Sequence, residues 1–168
     1  MPPELYHKAP AKCSPPERAE FAALVLKGGE VNPKGLQARI SRAAQLVFLK
    51  QDNKLQGIAA IKRPLDGYRI SVSGKSGVAL PSAQFPYELG WVFVEPPARG
   101  NGYSHALVKC ALAPLAHTGL FATSRSDNAP MHRTLCAFGF VAQGKTYRSM
   151  RKGHDLKLFV RLANSKPD

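Results

Sequence analysis

Cysteine is scarce in this sequence and acidic residues are few, and no apolar run is long. The 168 residues hold three cysteines, Cys13, Cys110 and Cys136, with no C-x-x-C pair among them. Three thiols cannot all pair with one another. Cys110 and Cys136 fall inside apolar helical patterns, where a free thiol reads as a small core residue. The five histidines show no ligand spacing such as H-E-x-x-H, so no metal is expected. No stretch approaches the roughly 18 uninterrupted apolar residues that a spanning helix needs. Met1-Pro2-Pro3-Glu4 lacks the basic start and apolar run of a secretory signal, and a cytoplasmic protein without membrane attachment is expected.

What is present is a large positive charge. Twenty-four Lys and Arg against eleven Asp and Glu give +13, a field that attracts nucleic acid, an anionic membrane or a small phosphorylated cofactor. The basic residues are scattered, with no run of five, so a solvated basic surface fits as well as a nucleic-acid patch. Apolar residues make up 44%, enough for one domain of ordinary size with a proper core. Gly74-Lys75-Ser76 imitates the end of a P-loop. The glycine required five positions earlier is Arg69, and the segment reads as a flexible loop.

Local signals order the rest. Ser14-Pro15-Pro16-Glu17 is a capping box with proline at the first helical position, and Phe21, Leu24 and Val25 follow at helical spacing until Gly28-Gly29. A second helix is expected after Asn32-Pro33, with Leu36, Ile40, Ala43 and Ala44 on one face. Residues 45–50 and 55–62 read as a hairpin around Asp52-Asn53-Lys54. Residues 64–84, rich in Gly, Pro and Ser, read as a long loop, such as a substrate lid. Residues 85–94 form a strand ended by Pro96-Pro97, and a helix from about Gly102 stops at Pro114. A short strand at 120–123, a cap at Asp127-Asn128, a helical stripe of Met131, Leu135 and Phe138, and strands at 140–142 and 156–162 complete the chain. No strand is legible in residues 2–12.

The informative segment joins a buried strand, Val92-Phe93-Val94, to a helix through Arg99-Gly100-Asn101-Gly102-Tyr103-Ser104. Two glycines let successive backbone N–H groups converge. The new helix adds its unpaired N–H groups and the positive end of its dipole, which makes a site for a pyrophosphate. Here the sequence resembles the GNAT superfamily of N-acetyltransferases, whose signature [Q/R]-x-x-G-x-[G/A] is matched by Arg99, Gly102 and, as a small-residue departure, Ser104. Asn128, Ala129 and Gly139-Phe140 extend the resemblance, which covers about residues 14–162.

The resemblance implies one domain over residues 1–168. Its fold would be an α/β GNAT-like mixed, mostly antiparallel sheet of six or seven strands with about four helices, splayed at the acyl-CoA site. It implies acetyl-CoA as cosubstrate, with the backbone of Val92, Phe93 and Val94 pairing with the pantetheine arm. The N–H groups of Arg99, Gly100, Asn101, Gly102, Tyr103 and Ser104 would hold the pyrophosphate, and Asn128 would lie near the pantetheine. The reaction implied is direct attack of an amine on the thioester, which needs a base. Glu88 fits, since family members carry a catalytic glutamate there, and strand alternation puts it on a face with Gly90 and Val92. An ion pair with one of the many Lys and Arg residues is the other reading of Glu88. The family's tyrosine acid is replaced by Leu135, with His132, Ser124 and Tyr147 as substitutes. Three functions therefore stand: an active N-acetyltransferase, a non-catalytic acyl-CoA binder, and an RNA-associated enzyme acting on a tRNA-linked amine. The acceptor wall is expected from 29–40 and 64–87, the acceptor is expected to be uncharged or anionic, and the chain to be a monomer or homodimer.

Overall fold

In the computed structural model, which describes residues 2–29, 31–149 and 153–163, the capping box forms as the sequence predicts. Ser14 Oγ accepts from the Glu17 amide at 3.2 Å and Glu17 Oε1 accepts from the Ser14 amide at 2.9 Å. Of the expected acceptor segments, only Glu30 lies outside the described residues.

The elements are, in chain order, β1 (Glu4–Lys8), α1 (Pro15–Lys27), α2 (Leu36–Arg42), β2 (Gln45–Gln51), β3 (Lys54–Lys62), α3 (Asp66–Ser76), β4 (Tyr87–Val94), α4 (Tyr103–Leu112), β5 (Leu120–Arg125), α5 (Ala129–Ala137), β6 (Val141–Arg148) and β7 (Asp155–Arg161). The seven strands make one mixed, open sheet in the order β1-β2-β3-β4-β5-β7-β6. Five helices accompany it, one more than expected. Contacts divide the chain into two compact units. Met1–Lys62 with Leu89–Pro114 forms one, and Arg63–Glu88 with Leu115–Asp168 the other, so β4 runs through both. Among the described residues no helix is long and apolar enough to cross a membrane.

In the first unit, β1 pairs antiparallel with β2 along its whole length, from Glu4 opposite Lys50 to Lys8 opposite Leu46. The sequence hides this strand because it is short, charged and mostly exposed. The β2–β3 hairpin turns on Asp52 and Asn53, both in the left-handed region at φ 53° and 62°, as a two-residue hairpin turn requires. The core gathers Phe21, Val25, Leu36, Ile40, Leu46, Phe48 and Ile58, with α1 and α2 closing over the sheet. Helix α4 lies close against β3. A methyl at Gly57 would stand 2.9 Å from Leu107 Cδ1.

In the second unit the expected loop at 64–84 is corrected: residues 66–76 form α3, and Gly74-Lys75-Ser76 is its last turn. Val72 anchors it in a core with Leu80, Phe85, Phe121, Leu158 and Val160. Arg69, 7% exposed, donates to the carbonyls of Leu80 at 3.2 Å and Phe85 at 2.6 Å, and its guanidinium lies over the Phe121 ring. Tertiary contacts thus hold a helix whose glycines and serines argue against one. Strand β4 meets β5 in parallel at Tyr87–Leu120 and Glu88–Phe121, and β7 pairs antiparallel with both β5 and β6. The cysteines are also corrected: Cys13 is buried, whereas Cys110 is half-buried and Cys136 exposed.

Candidate active site

Strand β4 ends at Val94, and the Glu95 amide donates to Gln56 O at 2.8 Å, which ties that end to β3. The chain then turns through a short 3₁₀ segment, Pro96–Ala98, and Gly102 is the N-cap of α4. Gly100 and Gly102 take φ of 86° and 75°, the left-handed region that other residues enter at a cost. No side chain caps α4. A methyl at either glycine would meet nothing within 4 Å, so the outer side of the turn is open space. An anion fits there, with helix-start N–H groups to receive it and room to approach them.

The side chains around the turn hold its shape. Arg99 folds back along the strand, with Nε donating to Val94 O at 2.9 Å and the guanidinium over the Phe93 ring at 5.5 Å. Asn101 Nδ2 donates to Ala98 O at 2.9 Å, and Tyr103 Oη reaches Gln51 Oε1 at 3.3 Å. Ser104 is half-buried in the first turn of α4. Val92 and Phe93 are half-buried and Val94 is buried.

One residue that the sequence does not flag stands inside the strand. Trp91 has φ 53°, an outlier for a bulky side chain and a sign of stored strain. Its ring packs edge-on to Phe21, with Lys62 Nζ 4.7 Å from its centroid. A left-handed residue breaks two-residue alternation, so the face that Glu88 shares with Gly90 does not carry on to Val92 by periodicity.

In the second unit Glu88 is 2% exposed. A tyrosine hydroxyl bonds it: Tyr68 Oη of α3 donates to Glu88 Oε2 at 2.7 Å. Tyr68 is 40% exposed overall while its hydroxyl is enclosed, and that enclosure, followed by the Glu88 charge, raises its pKa well above the ordinary value. Burial and then the same charge push Tyr147 up to about 12. Sequence reasoning missed Tyr68. The available signal was Asp66 at a helix start with Tyr68 and Val72 four apart.

The remaining candidates also lie in the second unit. Asn128 caps α5, its Oδ1 accepting from the Met131 amide at 3.2 Å. Leu135 is wholly buried core. His132 bonds the Arg125 carbonyl at 2.9 Å through Nε2, so that nitrogen carries the proton, and its ring lies against Phe159. Ser124, 8% exposed, reaches the Arg125 carbonyl at 3.5 Å. The structure thus groups Val92–Val94 with the turn in the first unit, and Glu88 with Tyr68 and Tyr147 in the second.

Comparison with known proteins follows the same lines. The profile of the Acetyltransferase (GNAT) family matches residues 16–140. An acyl-CoA N-acyltransferase from Pseudomonas aeruginosa is 15% identical, with a TM-score of 0.67 over 95% of this chain and 99% of that one. Escherichia coli ElaA is 12% identical, with a TM-score of 0.68 over 95% and 99%. Salmonella typhimurium yncA, solved with its cofactor acetyl-CoA, is 16% identical, with a TM-score of 0.61 over 100% and 99%. At these identities the likeness is one of fold. None of the curated proteins compared matches the chain in sequence.

Proposed function

The chain belongs to the GNAT acetyltransferase family, and on that premise we propose that it moves an acetyl group from acetyl-CoA to a primary amine by direct attack. The observation that carries the reading is the open, uncapped turn Arg99–Ser104, with Gly100 and Gly102 both left-handed at the start of α4. Its N–H groups receive the pyrophosphate, and the backbone of Val92–Val94 pairs with the pantetheine arm. Asn128 spends its side chain on its own helix, so any part it takes beside the pantetheine falls to its backbone or its remaining amide donors. Residues 1–168 act as one acyltransferase domain.

Acetyl-CoA supplies an activated acyl carbon and a thiolate leaving group. Glu88 takes the proton that the amine loses as its nitrogen bonds to that carbon and the C–S bond breaks. Its bond from Tyr68 Oη supports this reading over that of a purely structural ion pair. Leu135 in the core supplies no acid, and a thiolate of ordinary pKa, about 8.5, leaves with water as its proton source. The charge of +13 favours a neutral or anionic acceptor, a small amino compound or an RNA-linked amine, over a polyamine.

The test is a panel of a neutral amine, spermidine, a basic peptide and an aminoacyl-tRNA with acetyl-CoA, read by thiol release and by mass of the product. Acetylated amine with equal thiol release is the expected result. Binding of acetyl-CoA with no thiol release from any acceptor overturns catalysis in favour of a non-catalytic binder. Spermidine as the best acceptor overturns the charge argument.

A further inference from the structure

Helix α3 brings a hydroxyl to the one buried carboxylate of the second unit that the reaction uses. Tyr68 Oη meets Glu88 Oε2 at 2.7 Å, the distance of a charge-assisted O–H···O⁻ bond. Thr123 of β5 lies beside the same hydroxyl. The Tyr68 hydroxyl directs its proton to the carboxylate.

The spacing is braced from beneath. Arg69, the next residue of α3, is pinned to the carbonyls of Leu80 and Phe85, in the segment that leads directly into β4. Its guanidinium lies over Phe121, the register partner of Glu88. Helix α3 cannot drift from Glu88 without breaking these buried bonds. Tyr147 of β6 is a further titratable group near Glu88, and its hydroxyl senses the same negative charge.

We propose that Tyr68 is a positioning residue for Glu88, holding its carboxylate in one orientation for proton removal from the acceptor amine. This rests on the reading of Glu88 as the base. Tyr68→Phe removes the hydroxyl alone and keeps the ring, in a residue that is two-fifths exposed overall, so the packing of α3 stays in place.

The experiment compares wild type, Tyr68→Phe, Glu88→Gln and the double variant, with acetyl-CoA and glycinamide as the probe amine. Tyr68→Phe should keep its Tm and lower kcat about tenfold, while acetyl-CoA affinity stays as in wild type. The double variant should be no slower than Glu88→Gln alone, because Tyr68 acts through Glu88. An unchanged kcat, or a double variant slower by the full extra factor, overturns the positioning role and leaves the base intact. Wild-type turnover by Glu88→Gln overturns the base itself. A readout free of any acceptor is the side-chain carboxyl carbon-13 resonance of Glu88, assigned by its loss in Glu88→Gln. At neutral pH its chemical shift should move in Tyr68→Phe, and an identical resonance there sinks the proposal whatever the kinetics show.

Discussion

Gly102 separates stability from binding when it is changed to Ala and to Asp. In the free protein its φ of 75° is the whole obstacle, since a new Cβ would touch nothing within 4 Å. Alanine in this left-handed region costs about 1–2 kcal/mol. For a chain of this length that corresponds to a fall in Tm of roughly 2–8 °C. Aspartate enters the same region more readily, and its carboxylate sits at the positive end of α4, worth about 0.3–1 kcal/mol. Gly102→Asp should therefore melt above Gly102→Ala. Binding should run the other way. Alanine crowds the backbone where a phosphate oxygen must approach, and loss of one charge-assisted bond of about 1.5–3 kcal/mol weakens acetyl-CoA roughly 10- to 100-fold. Aspartate adds a negative charge to that crowding and should bind more weakly still. Melting curves and calorimetric titration with acetyl-CoA read the two orders. An Asp variant that binds as wild type refutes the phosphate assignment. An Ala variant as stable as wild type refutes the left-handed geometry.

Three further outcomes follow from other contacts. Glu88→Gln should lower kcat by roughly 10²–10⁴ with acetyl-CoA affinity unchanged, and part of the rate should return at high pH, where more amine is free; single-turnover kinetics across pH decide it. Glu17 is held down to about 2 by the Ser14 amide and then by Lys8, with Tyr6 also donating to it. Its stabilisation is therefore complete above the ordinary glutamate pKa of about 4.3 and is lost as pH falls from there toward 2. Glu17→Gln should cost about 1–2 kcal/mol at neutral pH, allowing for its partial exposure, and the Tm gap to wild type should close on acidification; a constant gap contradicts the ionic account. Gly144, at φ 74°, faces the Ser76 carbonyl so closely that a Cβ would collide with it and stand 2.6 Å from Val78 Cγ2. Gly144→Ala should lose about 3 kcal/mol or more, by strain plus overpacking, and urea denaturation with a normal midpoint would exclude that contact.

Where a signal is local, the sequence carries it. The capping box at Ser14–Glu17, the left-handed pair Asp52-Asn53 and the glycine turn before α4 each need only neighbouring residues, and each is legible. Strand β1 is not, because a short charged edge strand is stabilised by its pairing with β2, some forty residues away. Helix α3 is not, because Gly67, Ser71, Ser73 and Gly74 give it poor propensity, and Val72 and Arg69 hold it through residues far along the chain. The site divides the same way. Arg99–Ser104 is contiguous, whereas the Tyr68–Glu88 bond joins residues twenty apart through a helix that the composition conceals. Nothing in residue order announces the positive φ of Trp91, since tryptophan is at home in a strand and rarely sits there left-handed.

The order β5-β7-β6 has a consequence for how the second unit comes into being. As the chain is synthesised, β6 emerges before β7, yet its ladder partner is β7, which slots between it and β5. Until Asp155–Arg161 arrive, both the unpaired side of β5 and the whole of β6 present open backbone, the kind of edge that recruits other chains. The charges at Lys145 and Arg148 guard β6 during that interval, whereas β5, reading Leu120-Phe121-Ala122-Thr123, has no such guard until its terminal Arg125. Nascent chains halted before residue 155 therefore leave β5 without its antiparallel partner and β6 without any, and aggregation of such truncated chains is the expected cost of this strand order.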